Sequence, residues 1–365
     1  MGGLYDTTEK NKKYLFYRWT DFNLGRILNL NLYTMTKNSF FIDDQGVKYS
    51  PYKTNLIEAA WYIKEYDIPE GVTTVGRQAF LRNSQLKKIT FPSTLREIHS
   101  SAFEGCGFEE LDLPEGLLEI HPGAFYQTPI KTLRLPSTLR AIGEESFMGC
   151  LLTHVELPES LVGIGEAAFD KCLNLESITS KSPNFKSVDG VLFSGDMKTL
   201  ICYPCAKKGE HYDIPEGVET IAFKAFSDVE ALKSVTFPKS LKVISDYAFS
   251  ACRALERVDW SDQIKSIGLR AFYPCEKLSE VKLYNGLEEI GPAAFYCCYS
   301  IKSISVPSTV KVVGDQAFTH CCRLSDLELG EGIEVIHESA FSRTSVGGLV
   351  YPKSAKIIPC VENIM

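Results

Sequence analysis

Apolar residues recur along this chain in a fixed order that repeats about every 23 residues. In residues 232–238, Val235 and Phe237 alternate with polar residues, the pattern of a half-buried strand, and Pro238 ends the run. A second short extended piece follows, and then an Ala-Phe step, which is Ser-Phe once. The phenylalanines of this step are Phe80, Phe103, Phe125, Phe147, Phe169, Phe226, Phe249, Phe272, Phe295, Phe318 and Phe341. A fixed period of this length predicts stacked repeats, in which each unit contacts only its neighbours.

Each repeat closes with a short segment, such as residues 166–172 or 246–252, that often begins with an acidic or small polar residue. Because an acidic or small polar residue can cap a helix, we predict one helical turn here, with the phenylalanine pointing inward. Strands stacked about 4.8 Å apart would form a parallel sheet that lengthens with every repeat. The predicted fold class is therefore α/β: a solenoid of parallel strands with one helical turn per repeat of about 23 residues, interrupted by β-hairpin insertions.

The spacing of the phenylalanines also predicts how the chain is organised. Phe169 and Phe226 lie 57 residues apart, and the excess contains the turn signals Asp189-Gly190 and Ser194-Gly195 between β-rich runs, which predicts an inserted hairpin. Residues 44–50 and 66–72 repeat this pattern near the N-terminus, so we interpret the chain as two similar blocks in one continuous solenoid. The predicted parts are an N-terminal cap (1–40), a hairpin-like module (41–67), a first repeat block (68–180), a hairpin insert (181–213) and a second block with a C-terminal half-repeat (214–365).

Three recurring motifs carry a family resemblance. They are Pro-x-x-Leu-x-x-Ile-Gly-x-x-Ala-Phe-x-x-Cys, the start Ile-Pro-Glu-Gly-Val and the hairpin Asp-Gly-Val-Leu. Over residues 41–358 the chain resembles the BspA-like bacterial leucine-rich repeat family, which implies a leucine-rich-repeat solenoid. Members are mostly surface or secreted proteins, and some are associated with adhesion or with binding host matrix proteins. The family shares no catalytic residues, so the resemblance implies a non-enzymatic protein that binds other proteins.

Two other functional interpretations stay open at this point. One is an intracellular repeat scaffold of the same fold, and the other is a thiol- or metal-dependent protein. The net charge is −7, from 39 basic and 46 acidic residues without a long run of one sign, so we expect no nucleic-acid partner, which would need a basic stripe. No stretch reaches the roughly 18 apolar residues of a membrane span. We expect a monomer, at the cell surface or secreted if a leader was removed, and otherwise cytoplasmic, because residues 14–32 make a poor signal-peptide core.

Most cysteines of the chain share one repeat position, three residues after a repeat phenylalanine. They are Cys106, Cys150, Cys172, Cys252, Cys275, Cys298 and Cys321. Asn83, Thr128, Val229 and Thr344 take the same position in the other repeats, which indicates a small, buried packing position where a thiol behaves as a small apolar group. We therefore expect reduced structural cysteines. The alternative is a ladder of disulfides between successive coils.

Two smaller groups could carry chemistry. Cys202 and Cys205 form a lone Cys-x-x-Cys, which would need a second pair or histidines at suitable spacing to hold zinc, and only His211 follows nearby. His99 and His121 occupy a position that is glycine in most repeats and should stack in adjacent coils, where they could share a metal or act as a pH switch. We interpret both groups as structural or solvent-facing. The sequence therefore predicts no catalytic residue, no cofactor and no metal site.

A protein partner, if it binds the sheet, should contact the exposed middle position of each strand. This position, here called the row, comprises Thr90, Asp112, Arg134, Glu156, Thr179, Thr236, Asp259, Lys282, Ser305 and Glu328. Its charges are mixed and it has no aromatic residue, whereas binding hot spots favour Trp, Tyr and Arg. The row thus predicts a polar surface of moderate affinity or a solvated face without a dedicated site. Tyr66, Tyr203 and Tyr212, near the hairpins, are alternative contact points or packing residues.

Overall fold

The repeats stack into a solenoid of about 13 turns. A computed structural model describes residues 40–359, which belong to one compact unit. The predicted N-terminal cap, residues 1–40, lies outside the described residues except for its last residue. The parallel-strand architecture is confirmed, and the limits of the domains stay predictions.

Two long sheets, here called the ladder sheets, run along the solenoid. Their coil strands are parallel and in register, so that a buried residue such as Ile98 stacks on its counterpart Ile120 one coil further on. The first ladder sheet contains Phe41–Ile42, Lys48–Tyr49, Asn55–Glu58, Thr74–Val75, Glu97–Ile98, Glu119–Ile120, Ala141–Ile142 and Gly163–Ile164. The second contains Phe185–Val188, Val191–Ser194, Thr199–Cys202, Thr220–Ile221, Val243–Ile244, Ser266–Ile267, Glu289–Ile290, Val312–Val313, Val335–His337 and Lys356–Ile358.

Each ladder sheet begins with an antiparallel module of three strands. In the N-terminal module, Lys48–Tyr49 is the middle strand. In the internal module, which is the predicted insert, Val191–Ser194 is the middle strand. The third strand of each module then pairs in parallel with the first coil that follows, so the hairpin serves as the starting edge of a ladder. The two modules therefore share one topology, as their sequence similarity indicates.

A second line of strands, here called the row strands because they carry the row, breaks into small sheets. Four of these sheets have two strands, which pair Glu65–Asp67 with Lys88–Thr90, Glu110–Asp112 with Thr132–Arg134, His154–Leu157 with Ser177–Ser180, and Ser303–Val306 with Asp326–Leu329. In the fifth, Ser234–Thr236 lies between His211–Asp213 and Arg257–Asp259. The strand predicted at residues 281–283 does not form. Glu280 forms only an isolated parallel bridge with Arg257, and its carbonyl accepts a bond from the Trp260 indole (3.4 Å). The continuous sheets are therefore made by the second extended piece of each repeat.

The predicted helical turn in every repeat is wrong. Within residues 40–359, helix occurs once, as the single 3₁₀ turn Glu338–Phe341. Elsewhere the residue two before the phenylalanine has positive φ, and so does the residue two after it except at Pro274. Gln78 (59°) and Arg82 (56°) around Phe80 are examples, whereas an α-helix needs φ near −63°. The Phe80 N–H donates to the Ala102 carbonyl of the next coil (2.8 Å) instead of to a carbonyl within its own turn. Hydrogen bonds between coils therefore alternate with bonds inside the turn, such as that from the Leu81 N–H to the Gln78 carbonyl (3.1 Å).

The repeat phenylalanines form a stack of rings through the core. Neighbouring rings are nearly parallel, as in Phe249 and Phe272, whose centroids are 5.0 Å apart at 3°. Such offset stacks add about 0.5–1.5 kcal/mol per pair beyond the area that they bury. The stack divides into two runs, since Phe169 ends the first and Tyr203, stacked on Phe226 at 4.9 Å, begins the second. The core is accordingly two clusters that meet at the internal module.

Candidate functional site

The row residues lie at the surface, as the strand pattern predicts. Eight are exposed, and Thr236 and Asp259 are half-buried. Several are paired with one another or with their neighbours: Arg134 with Asp112 at 3.7 Å, Glu156 with Lys181, and Ser305 with Glu328 at 3.1 Å. The structure therefore places row residues side by side within each small sheet, whereas no strand forms at Lys282. These exposed pairs contribute little to stability, about 0–1 kcal/mol each.

A shallow groove of about 340 Å³ accompanies the row in the first block. Thr90, Asp112 and Arg134 border it together with Ile89, Phe91 and Leu113. The Phe91 ring is half-buried and packs edge-on against Phe103 at 5.7 Å, so its position is fixed by the core. The groove therefore combines a rigid aromatic residue with exposed charges, a combination that the row positions alone do not reveal, because Phe91 lies one residue beyond the row.

The cysteines at the shared repeat position are buried free thiols, which confirms the packing interpretation. Each donates to the carbonyl of the phenylalanine one coil earlier, as from Cys252 Sγ to Phe226 O (2.9 Å). Thr128 makes the same bond to Phe103 O (2.6 Å), which explains why threonine is accepted there. Burial raises the pKa of Cys150 to about 12, so the thiolate needed for nucleophilic or redox chemistry is disfavoured at neutral pH. No disulfide joins the cysteines of residues 40–359.

Where the two blocks meet, a cavity of about 160 Å³ lies beside Cys202 and Cys205. Asp170, whose side chain is 1% exposed, is paired there with Lys224 at 2.8 Å, while its Oδ1 has no hydrogen-bond partner. Burial, reinforced by the Asp170 charge, raises the pKa of Cys202 to about 12. His211, the histidine considered as a further ligand, is bonded elsewhere, to Ser234 and Asp213. The cavity therefore places a protonated thiol beside a buried ion pair.

His99 and His121 stack as expected, with ring centroids 4.5 Å apart. The structure adds carboxylates that sequence reasoning missed. His99 Nε2 is 3.0 Å from Glu97 Oε2, and His121 Nε2 is 3.9 Å from the same oxygen and 3.8 Å from Glu119 Oε2. The tripeptide Glu-Ile-His occurs in both coils, 22 residues apart, and that repetition was the signal available in the sequence.

The tyrosines considered as contact points are mainly packing residues. Tyr66 and Tyr203 are buried, and Tyr212 is half-buried with its ring 4.9 Å from that of Tyr203. Among the exposed aromatic residues are Trp61 (76% exposed) and Tyr62, whose rings meet edge-on at 5.9 Å in the N-terminal module. This pair was missed because it belongs to no repeat position.

Repeats of this sequence match the family model of the BspA type leucine-rich repeat region over residues 55–176, 118–204, 201–321 and 244–360. The chain belongs to the BspA-type leucine-rich repeat family. Membership in this family implies a role in protein–protein interaction, and BspA-type repeats are typically non-enzymatic. No protein of curated function matches the chain.

Solved structures of bacterial leucine-rich repeat proteins share the BspA-type fold seen here. A protein from Eubacterium ventriosum has a TM-score of 0.73 at 23% identity, covering 86% of this chain and 94% of its own. A leucine-rich cell surface protein from Faecalibacterium prausnitzii has a TM-score of 0.65 at 25% identity, covering 85% and 96%. The pneumococcal vaccine antigen PcpA has a TM-score of 0.64 at 21% identity, covering 89% and 94%. Among residues 40–359, no helix has the length and hydrophobicity that crossing a membrane requires.

Proposed function

We propose that this BspA-type solenoid is a non-enzymatic protein that binds a protein partner, and that the principal contact is the part of the row in the first block. The observation that carries the proposal is the groove beside Thr90, Asp112 and Arg134. It is a concave surface next to regularly spaced exposed side chains, which suits an extended segment of a partner.

The electrostatics of the groove support this choice. Arg134 and Asp112 are 74% and 72% exposed and 3.7 Å apart, so their pair is weak and can exchange for charges of a partner at small cost. Phe91 supplies an apolar contact that is already held in place by Phe103. Arginine and aromatic residues dominate binding energy at interfaces, so Arg134 and Phe91 are the expected anchors.

The chemistry of the thiols supports a non-enzymatic role. Burial raises the pKa of Cys106, Cys150 and Cys298 to about 12, so these groups are protonated at neutral pH. A thiol enzyme needs the opposite arrangement, a partly exposed cysteine whose pKa is lowered.

The proposal extends to adhesion at a bacterial cell surface. The Faecalibacterium prausnitzii protein with the same fold is described as a cell surface protein, which supports this location. Protease treatment of intact cells that express the chain with its natural flanking sequence tests it. Loss of the chain from intact cells is expected, and protection until the cells are lysed would favour the intracellular scaffold instead.

A site-specific cross-linking experiment tests the binding surface. A photoreactive residue placed at Thr90 should trap a partner from surface extracts, while the same residue at Lys282, where no row strand forms, should trap none. With the trapped partner purified, Arg134→Glu should weaken binding by about tenfold or more, equivalent to roughly 1.4 kcal/mol. The control Lys282→Glu should leave the affinity within about twofold. Circular dichroism and the urea midpoint show that each variant is folded.

The opposite result would relocate the contact. If Arg134→Glu and Phe91→Ala both leave the affinity unchanged while Trp61→Ser abolishes binding, the groove is not the binding surface and the N-terminal aromatic pair is.

A further inference from the structure

Two adjacent coils of the first ladder sheet carry the same tripeptide, Glu97-Ile98-His99 and Glu119-Ile120-His121. In the parallel pairing of these strands, Glu97 lies opposite Glu119 and Ile98 opposite Ile120. Side chains alternate along a strand, so the isoleucines enter the core while the glutamates and histidines share the outer face. With strands about 4.8 Å apart, this places two carboxylates and two imidazoles on one small grid.

Three atoms of this grid converge. His99 Nε2 and His121 Nε2 lie 3.0 Å and 3.9 Å from Glu97 Oε2, and all three ligating atoms are within 4.8 Å of one another. Tetrahedral zinc, with bonds of about 2.0–2.1 Å, holds its ligand atoms about 3.3 Å apart, so small side-chain rotations would centre an ion between them. Glu119 stands beside the set, 3.8 Å from His121 Nε2.

One of the three atoms lacks a hydrogen-bond partner. His121 Nε2 is shielded from solvent and is bonded to no other group, although its ring is about a third exposed. Buried polar atoms are almost always satisfied, so this shielded imidazole nitrogen, which faces a carboxylate, offers an unused lone pair that a cation between them would satisfy. His99 differs, since its Nε2 already meets Glu97 at hydrogen-bond distance.

The flanking coils leave room around the grid. The position of the histidines is Gly76 in the coil before and Gly143 in the coil after, so no side chain there competes with the imidazoles. A third histidine, His337, occupies the same position in a late coil, but residue 335 is valine and the preceding coil carries Gly314. It therefore has neither the paired imidazole nor the carboxylate two residues earlier, and serves as an internal control.

We propose that Glu97, His99 and His121 bind one Zn²⁺ ion that joins two successive coils, with water in the fourth coordination position. Two imidazoles and one carboxylate are a common zinc ligand set, and three protein ligands leave an open position. This site is independent of the proposed partner surface, because its residues lie in or directly after ladder strands and not in the row. Its effect is to stabilise the first block, since an ion that binds only the folded chain raises the stability of that chain.

Titration of the metal-free chain, purified without a polyhistidine tag, with zinc chloride tests the site. Calorimetry should show one bound Zn²⁺ per chain, and zinc should raise the thermal midpoint of the wild-type protein. His121→Ala and Glu97→Gln should each weaken zinc binding by about tenfold or more. Replacing residues that only support metal ligands already lowers metal affinity by about tenfold. His337→Ala should bind zinc as the wild type does. His121→Ala is expected to fold, because Ala222 is tolerated at this position in another repeat.

X-ray absorption of the zinc-loaded chain identifies the ligands. Only nitrogen and oxygen neighbours near 2.0 Å are expected for this site, whereas sulfur near 2.3 Å would place the ion at Cys202 and Cys205 and overturn the proposal. Absence of measurable zinc binding, or equal binding by wild type and His121→Ala, would overturn it as well.

Discussion

The two hairpin modules have the same topology but bury their middle strands differently. Val191 and Phe193 face the core of the second block, while Leu192 belongs to the core of the first, and all three are fully buried. In the N-terminal module, Tyr49 corresponds to Phe193, but Lys48 stands where the internal module has Leu192. The Lys48 side chain is 28% exposed and reaches Glu58 at 3.9 Å.

This difference teaches how one module serves two purposes. A middle strand that is apolar on both faces packs against two cores, so it can join one stack of coils to the next. A middle strand with a lysine on one face has a single core to cover, so it can begin a stack. Since successive side chains of a strand alternate between faces, a single residue decides between the two roles.

The largest expected effect on stability comes from changing Leu192, the middle-strand residue that packs into the first core. Leu192→Ala should lower the free energy of unfolding by about 2–5 kcal/mol, because it leaves a cavity in the first core. Leu192→Lys, which copies the N-terminal module, should cost more, because it buries an unpaired charge. The matched change Lys48→Ala should stay within about 0.5 kcal/mol. Urea denaturation followed by circular dichroism measures all three, and an equal loss for Leu192→Ala and Lys48→Ala would refute the distinction.

The ion pair at the junction gives the next effect. Asp170→Asn should cost about 3 kcal/mol, the lower part of the range for a broken buried pair, because Lys224 keeps some solvent and a second carboxylate, Glu145, at 3.8 Å. The double variant Asp170→Leu with Lys224→Met should regain most of that loss. Denaturation of Asp170→Leu, of Lys224→Met and of the double variant gives the coupling, and additive losses would show that the pair does not hold the blocks together.

Alkaline pH should weaken both blocks, because each contains buried thiols whose pKa is raised. Burial raises the pKa of Cys298 from 9.0 to about 12, and the pKa of Cys252, Cys275 and Cys321 is raised as well. The folded chain keeps these protons while the unfolded chain releases them, so stability is unaffected below about pH 9 and falls as the pH rises toward 12.

Urea midpoints at neutral pH and above pH 9 measure this fall. Cys298→Val, which copies the residue at Val229, should reduce it, whereas Cys322→Val, at an exposed thiol, should not. A fall of the same size in the wild type and in Cys298→Val would show that other groups cause it.

The smallest expected effect is at the N-terminal module. Trp61→Ser should change the free energy of unfolding by less than about 0.5 kcal/mol, because the side chain is 76% exposed and lies outside both cores. The Tyr66→Ala variant, at a buried tyrosine of the same region, should by contrast cost several kcal/mol, about 3–5. Thermal and urea midpoints distinguish them, and a large loss for Trp61→Ser would show that the exposed pair supports the fold.

The candidate sites were only partly predictable. The row followed directly from strand alternation, and the stacking of His99 on His121 followed from the repeat period. Glu97 was not recognised, because its place beside both histidines depends on the register between coils. Phe91 was not recognised either. Whether a residue borders a groove depends on how the side chains of neighbouring coils pack, and no sequence pattern marks that packing.

The sequence by itself determined the repeat, the buried thiols and the two similar modules, because period and polarity directly reflect which side chains face inward. Only the tertiary structure decided the conformation of the phenylalanine segments and which strands form the long sheets. Residues such as Gln78 and Arg82 have no intrinsic preference for positive φ; they adopt it because the Phe80 N–H finds its acceptor on the next coil. Backbone hydrogen bonds between coils form only when adjacent coils stack, so the sequence of a single repeat cannot predict them.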